Sequence, residues 1–292
     1  MSTLHRFTVL LVILLLACGQ DTATHVNELD TQVPADDGVS VVDGGMQVLG
    51  DVGGSTNSDL GVSDVGGLEQ DFMLPPSGGC EPWAAGNRDG LVQTLHAHLV
   101  DTYQPIRPTP NFGGMPDRYT TARQMMFTRV FRFQDAEGVF VVQCVYTNDT
   151  AFTPPDRDPD DDLMNCEHLW PRARLNSDRS SRLYEHQQSD IHHLAPTRPT
   201  ANSLRGSFKF GEVASDRNLS ASPSVAGRSM NNEQVFEPQN EVKGDIARAI
   251  FYMSIRWGLE ITSGEEEVLR RWHTADPVQM HELAKNDVIE DL

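Results

Sequence analysis

The chain has 292 residues, with 42 acidic side chains against 23 basic ones and a formal net charge of −19. Such a balance excludes a protein that grips nucleic acid by positive charge over its whole surface. Four cysteines in a chain of this length exclude a disulfide-dense miniprotein, and the length is enough for one sizeable core with segments to spare.

Met1 to Leu16 contains one basic residue, Arg6, and an apolar run extends from Val9 to Ala17. The run is too short to span a bilayer as a mature helix and reads as a signal peptide. It ends Leu15-Leu16-Ala17-Cys18, a pattern resembling the bacterial lipobox, in which Cys18 is lipidated and becomes the first mature residue. The alternative is an ordinary secretory signal that happens to carry a cysteine. Gly19 follows where Asp would retain the protein at the inner membrane, so the expected location is the outer membrane, facing either the periplasm or the cell surface. Residues 19–79 hold eleven Asp and Glu and no Lys or Arg, with many Gly, Ser and Val. A segment of this kind buries too little apolar surface to offset the entropy of ordering and is expected to be a disordered tether. From Cys80 onward 31 acids face 22 bases, and Arg172 to Arg228 reverses the sign, with nine Lys and Arg against five Asp and Glu.

Residues 80–292 are therefore the expected folded domain. Leu91, Leu95 and Leu99 recur at helical spacing, and Tyr119 to Phe127 reads as a second short helix. Arg129 to Phe133 and Val139 to Thr147 read as a hairpin across Asp135-Ala136-Glu137-Gly138, and Pro154 to Asp162 as a loop. Ile246, Ile250, Met253 and Trp257 mark an amphipathic helix, with Arg248 and Arg256 expected on its solvent side. Ser263 with Glu266 predicts a capping box for the next helix, and Asp276-Pro277 the start of a last one.

The segment richest in chemistry lies between these elements. Asn165-Cys166-Glu167-His168-Leu169-Trp170-Pro171 is followed by Asp190-Ile191-His192-His193-Leu194 and by Asn202-Ser203-Leu204-Arg205. A carboxylate beside a histidine, an amide 34 positions later and scattered arginines are the parts needed to hold one hard cation on a phosphodiester and activate a water next to it. Oxygen ligands from Glu167 and Asn202 suit Mg2+ or Ca2+ better than Zn2+. In a regular strand Glu167 and His168 would point to opposite faces, so they can serve one site only where the strand ends or bulges.

These blocks, together with Phe210-Gly211-Glu212-Val213 and Lys243-Gly244-Asp245-Ile246-Ala247-Arg248-Ala249, resemble the bacterial endonuclease I family over roughly Leu91 to Asp287. The resemblance implies an α+β fold with a ββα-metal, or His-Me finger, core spanning about Glu167 to Ser207 and flanked by helices. It implies a non-specific nuclease that cuts DNA, and often RNA, to 5'-phosphate ends, with Mg2+ as cofactor and Ca2+ or Mn2+ as alternatives. By the same resemblance His168 is the general base, and Glu167 and Asn202 bind the metal. An arginine neutralises the phosphate, and Arg205, one helical turn after Asn202, is the first choice, with Arg172 and Arg174 behind it. Asp190 and His193 are expected to support the site through hydrogen bonds. Many members have Arg where this chain has Cys166. Members usually continue past the last helix into an Asn-Arg-Asn-Pro-Phe segment, where this chain has Asp291-Leu292.

The remaining polar clusters have blander readings. His186, His192 and His193 lack the spacing of a zinc site. Asp156, Asp158, Asp160, Asp161 and Asp162 lack the Gly and terminal Glu of a standard calcium loop and read as a solvated acidic loop. Trp170 reads as core. Cys144 and Cys166 are the preferred disulfide, with three buried thiols as the alternative. The expected protein is a monomeric, lipid-anchored exported nuclease acting on DNA or RNA. The competing expectation is a surface lipoprotein that uses the same fold to bind nucleic acid or a protein partner without turnover.

Overall fold

The computed structural model describes residues 88–108 and 117–292. The expected leader, Cys18 and the acidic tether lie outside the described residues, as does Cys80. No helix among the described residues is long and apolar enough to cross a membrane.

Helix α1 (Arg88–Thr102) buries Leu95 and Leu99, and α2 (Arg118–Met125) starts at an Asp117 cap that accepts from the Thr120 amide. The expected first hairpin strand begins later than the composition suggests. Met126–Val130 instead continues α2 as a π-helical turn. Its aromatic and β-branched residues suit a strand, but Met126, Phe127 and Val130 are buried from a helical backbone, so tertiary packing overrides local preference. The strands are β1 (Phe133–Gln134), β2 (Phe140–Gln143) and β3 (Thr150–Phe152), an antiparallel sheet in that order. The expected turn joins the first two, with Asp135 N donating to Val139 O at 3.0 Å and Gly138 at φ +78°, a conformation glycine adopts without steric cost.

A second, two-stranded ribbon follows. Strand β4 (Asn165–His168) pairs antiparallel with β5 (Leu194–Thr197), placing Glu167 opposite Ala195 and His168 opposite Leu194. Between them lie a 3-10 turn at Arg172–Arg174, helix α3 (Arg182–Gln188) and a 3-10 turn at Ile191–His193. Helix α4 (Pro199–Arg205) comes next, with Pro in its first turn and Gly206 closing it. The third sheet has the order β6-β9-β8-β7, formed by Lys209–Phe210, Gln234–Glu237, Val225–Arg228 and Ser215–Asn218, with β6 and β9 parallel.

Helix α5 (Lys243–Trp257) is the centre of the core. Ile246, Ile250 and Met253 are fully buried at helical spacing, and Gly258 ends the helix in the left-handed conformation at φ +63°. Arg248 and Arg256, expected on the solvent side, are both buried. The first meets carboxylates from the last helix, and the second lies between the rings of Tyr103 and Trp257. Helix α6 (Ser263–Ala275) has Thr262 at its cap position, without a side-chain cap bond, in place of the expected Ser263 box. Helix α7 (Met280–Glu290) starts later than Asp276-Pro277, because Gln279 and Glu282 form the capping box there. Val288, Ile289 and Leu292 pack against the core.

Candidate active site

Alternation along β4 divides the neighbourhood in two. Asn165 and Glu167 share a face with their partners Thr197 and Ala195, and Cys166 and His168 occupy the other. On the first face the Tyr146 hydroxyl donates to Glu167 Oε1 at 2.7 Å and Arg205 Nη1 lies 3.1 Å from the same oxygen. On the second face the Tyr119 ring packs 5.3 Å from the His168 ring, and His193 meets His168 edge-on at 5.3 Å. The strand ends at His168. Helix α4 spans the junction: Asn202 Nδ2 donates to Asn165 Oδ1 at 2.9 Å and to the Cys166 carbonyl at 3.2 Å, and Arg205 Nη1 donates to the His168 carbonyl at 3.1 Å.

Glu167 is 2 % exposed and His168 6 %. Burial pushes the Glu167 carboxyl above its ordinary range, opposed by Arg205 and by the hydrogen bonds from Tyr146 and the His168 amide. Burial, with His193 beside it, holds His168 well below the usual imidazole value, so the ring is neutral at pH 7. Its Nε2 lies 3.0 Å from the Gln188 carbonyl. A carbonyl only accepts, so Nε2 carries the proton and Nδ1 carries the lone pair. The neighbouring carbonyl, Gln187 O, receives His193 Nε2 at 2.8 Å in the same way. Both acceptors belong to the last turn of α3, whose carbonyls have no partner within the helix. Burial lowers His193 to about 4.

Asp190 anchors this half-site to the core. Its Oδ1 accepts from the His192 backbone amide at 3.2 Å and from His192 Nδ1 at 2.9 Å, and its Oδ2 accepts from Tyr252 Oη and Trp257 Nε1 at 3.0 Å each. His192 stacks on Tyr252 at 4.3 Å. Burial pushes the Asp190 carboxyl up, and the bond and charge of His192, the charge of His193 and the bond from Trp257 outweigh it and hold the group below its usual range.

The three candidate arginines separate by what their guanidinium groups already do. Arg172 is exposed, donates to Tyr184 Oη at 3.1 Å and Gln188 Oε1 at 3.2 Å, and lies over the Tyr119 ring at 5.6 Å. Arg174 is instead consumed by a two-pronged pair with Glu265, both contacts at 3.0 Å, while stacking on Trp170. Arg205 is 1 % exposed and is spent on Glu167 and the carbonyls of His168, Leu169 and Gly206. Neither buried-side role matches the expected phosphate contact: Arg205 faces inward to hold Glu167, and Arg174 ties the 3-10 turn to α6. Trp170 is core, as read from the sequence.

The expected bridge between Cys144 and Cys166 is not formed, and both thiols are free. Cys144 Sγ accepts from the Arg198 amide at 3.2 Å and touches Thr197 Oγ1 at 3.6 Å, on the Glu167 face. Cys166 points to the opposite face, beside Tyr119, and burial pushes its thiol up to about 12. Tyr146 and Tyr119 escaped the sequence reading. Each lies outside the motif blocks, in segments whose pattern signals only packing.

The donor chemistry fits a hard divalent cation. Asn202 commits both amide hydrogens to β4, so its other amide atom, Oδ1, is an acceptor, and Glu167 adds a carboxylate held by the Tyr146 hydroxyl and paired with Arg205. Elsewhere, Asp245, His281 and Glu282 bring ligand atoms within 4.8 Å of one another. Arg248 and Lys285 already pair with those carboxylates, so this cluster is an ion-pair network.

The family described as Endonuclease I matches residues 117–292. An extracellular ribonuclease of Bacillus amyloliquefaciens is 32% identical over 142 residues, 43% of this chain and 46% of that protein. An extracellular deoxyribonuclease of Aeromonas hydrophila is 29% identical over 119 residues, covering 39% and 49% respectively. An Endonuclease-1 of Buchnera aphidicola is 25% identical over 124 residues, covering 41% and 47%. The chain spans about half the length of the curated relatives it matches.

Proposed function

We propose, for a chain that belongs to the endonuclease I family, that it is an exported endonuclease hydrolysing phosphodiester bonds of DNA, and of RNA as a second polymer, without sequence specificity. What carries this is the His168 imidazole, neutral by burial and committed through Nε2–H to the Gln188 carbonyl. Its Nδ1 lone pair takes the proton from an attacking water, the role of a general base. Strands β4 and β5 with helix α4 act as the ββα-metal finger. Glu167 and Asn202 would hold one Mg2+, with Ca2+ or Mn2+ as alternatives. When bound, the cation supplies charge stabilisation for the phosphorus centre and the leaving 3' oxygen, giving 5'-phosphate products.

Arg172 takes over the phosphate contact first assigned to Arg205, since it is the exposed candidate beside His168. Asp190 and His193 hold the imidazole in place through the α3–β5 connection. Relatives named as a ribonuclease and as a deoxyribonuclease support the phosphodiester backbone as the feature recognised, and relatives named extracellular support export. The leader and Cys18 add lipid anchoring of a monomer at the outer membrane, which mass spectrometry of the mature N-terminus tests.

The deciding experiment is nicking of supercoiled plasmid by the purified protein with Mg2+, with EDTA, and as His168→Ala. Cleavage should require the metal and fall about 10²- to 10⁴-fold in the variant. The acid limb of kcat/KM should lie below pH 6.5, because His168 is held below the usual value. A folded wild-type protein that binds DNA yet never cuts it with Mg2+, Mn2+ or Ca2+ would instead identify a binding module.

A further inference from the structure

We infer that Tyr146 is a positioning residue that, with Arg205, sets the orientation of the Glu167 carboxylate for a divalent cation. The inference rests on the reading of Glu167 as a metal ligand. A hydrogen-bond donor and a cation from different parts of the chain converge on one oxygen: Tyr146 Oη donates to Oε1 at 2.7 Å, and Arg205 Nη1 forms an ion pair with it at 3.1 Å. A carboxylate held at one oxygen by a fixed hydrogen-bond donor and a fixed cation loses rotation about its last side-chain bond, and the direction of its remaining lone pairs is set before any metal arrives. Outer partners of this kind orient metal ligands and tune their affinity.

Both partners are themselves held. The Tyr146 ring is fully buried, 4.7 Å from Phe236 and 6.4 Å from Phe210, and the Arg205 guanidinium lies 4.7 Å over the same Phe210 ring. The Tyr146 backbone is clamped as well. Its carbonyl accepts from Ser224 Oγ at 2.6 Å, that hydroxyl accepts from the Gln239 amide at 2.9 Å, and Gln239 Nε2 donates to the Val145 carbonyl at 3.0 Å. On the β5 side, the Val145 amide donates to Pro196 O at 2.8 Å. The residues flanking Tyr146 therefore tie the four-stranded sheet to the β4–β5 ribbon, and the hydroxyl delivers that rigidity to Glu167. A hydroxyl buried for packing alone has no reason to meet the acid of the motif, and phenylalanine would fill the same space without it.

The test is calorimetric titration of the full-length protein with Mn2+ alone, without nucleic acid, comparing wild type with Tyr146→Phe. The expected result is Mn2+ affinity weakened by about tenfold or more. The metal concentration for half-maximal nicking should rise in parallel, while the rate at saturating Mn2+ returns toward wild type. A purely structural role would lower the maximal rate and leave the metal midpoint in place. If Tyr146→Phe does not fold, Ser224→Ala, which cuts the clamp one step away, should shift the metal midpoint in the same direction by a smaller factor. Equal Mn2+ affinity in the wild type and a folded variant overturns the assignment of Tyr146. Wild-type protein that binds no Mn2+ overturns the reading of Glu167 as a ligand, and the inference with it.

Discussion

Arg205 and Arg248 are equally buried, at 1 % exposure each, yet their surroundings differ in a way that separates a site from a scaffold. Arg248 has its donors matched. Nε and Nη2 grip the two oxygens of Glu282 at 2.6 and 2.7 Å, Nη2 also reaches Asp245 at 3.2 Å, and Nη1 reaches the Asp276 carbonyl at 2.8 Å and His273 Nδ1 at 3.2 Å. Arg205 meets one carboxylate and a set of carbonyls, and among the described residues its Nε finds no partner. A buried cation costs the least when every donor is satisfied. Arg205 carries that cost beside Glu167, the position read as a metal ligand.

The largest expected effect tests the scaffold side. Glu282→Gln removes the closer of the two carboxylates that neutralise Arg248, leaving Asp245, and should cost about 3 kcal/mol of stability in urea denaturation, the low end of the penalty for breaking a buried pair. Nicking per folded molecule should be unchanged; lost catalysis in a folded variant would mean that the two arginines are not functionally separate. A smaller effect is expected from Gly244→Ala. A methyl there would sit 2.0 Å from the Asp276 carbonyl and 2.7 Å from Arg248 Nη2, forcing apart the start of α5 and the end of α6 at about 1–3 kcal/mol. A neutral result would show that the helices separate at no cost.

Acid should weaken both regions gradually, each histidine's contribution being small per pH unit but accumulating as pH falls. His193 beside the site and His273 beside Arg248 are each lowered to about 4, chiefly by burial. Between pH 6.5 and 4 the unfolded chain takes up a proton at each position and the native state does not. Each histidine therefore supports stability above pH 6.5, and that support is lost as pH falls, by about 1.4 kcal/mol per pH unit. Urea midpoints at pH 7.5 and pH 5 measure the loss, and His273→Gln should remove one histidine's share. Midpoints that do not move would contradict the burial of both rings.

The mixed α+β class and the helix centred on Ile246, Ile250 and Met253 were legible because periodic apolar residues report a buried face directly. Helix starts were less so. Asp276-Pro277 has the right residue types, but the cap forms where Gln279 can exchange bonds with Glu282, a choice made by the fit of Glu282 to Arg248. The arginines show the same limit. Arg172, Arg174 and Arg205 look alike in sequence, and only the positions of Glu265 and Glu167 decide which guanidinium remains exposed. Tyr146 lay beyond reach because it meets Glu167 across 21 positions of chain from a segment with no motif. The cysteine pairing failed for a local reason: neighbouring positions on β5, Pro196 and Thr197, direct Cys166 and Cys144 to opposite sides of one ribbon.

The four donors gathered by Asp190 have a consequence for motion. Two come from His192 and two from α5, through Tyr252 and Trp257, so the connection that carries His193 into β5 is bonded to the helix at the centre of the core. A segment held this way does not open by itself. Its amides should exchange with solvent only when the whole domain unfolds, at the same free energy as those of α5, and the indole of Trp257 places a fluorescent reporter on that hinge-free joint.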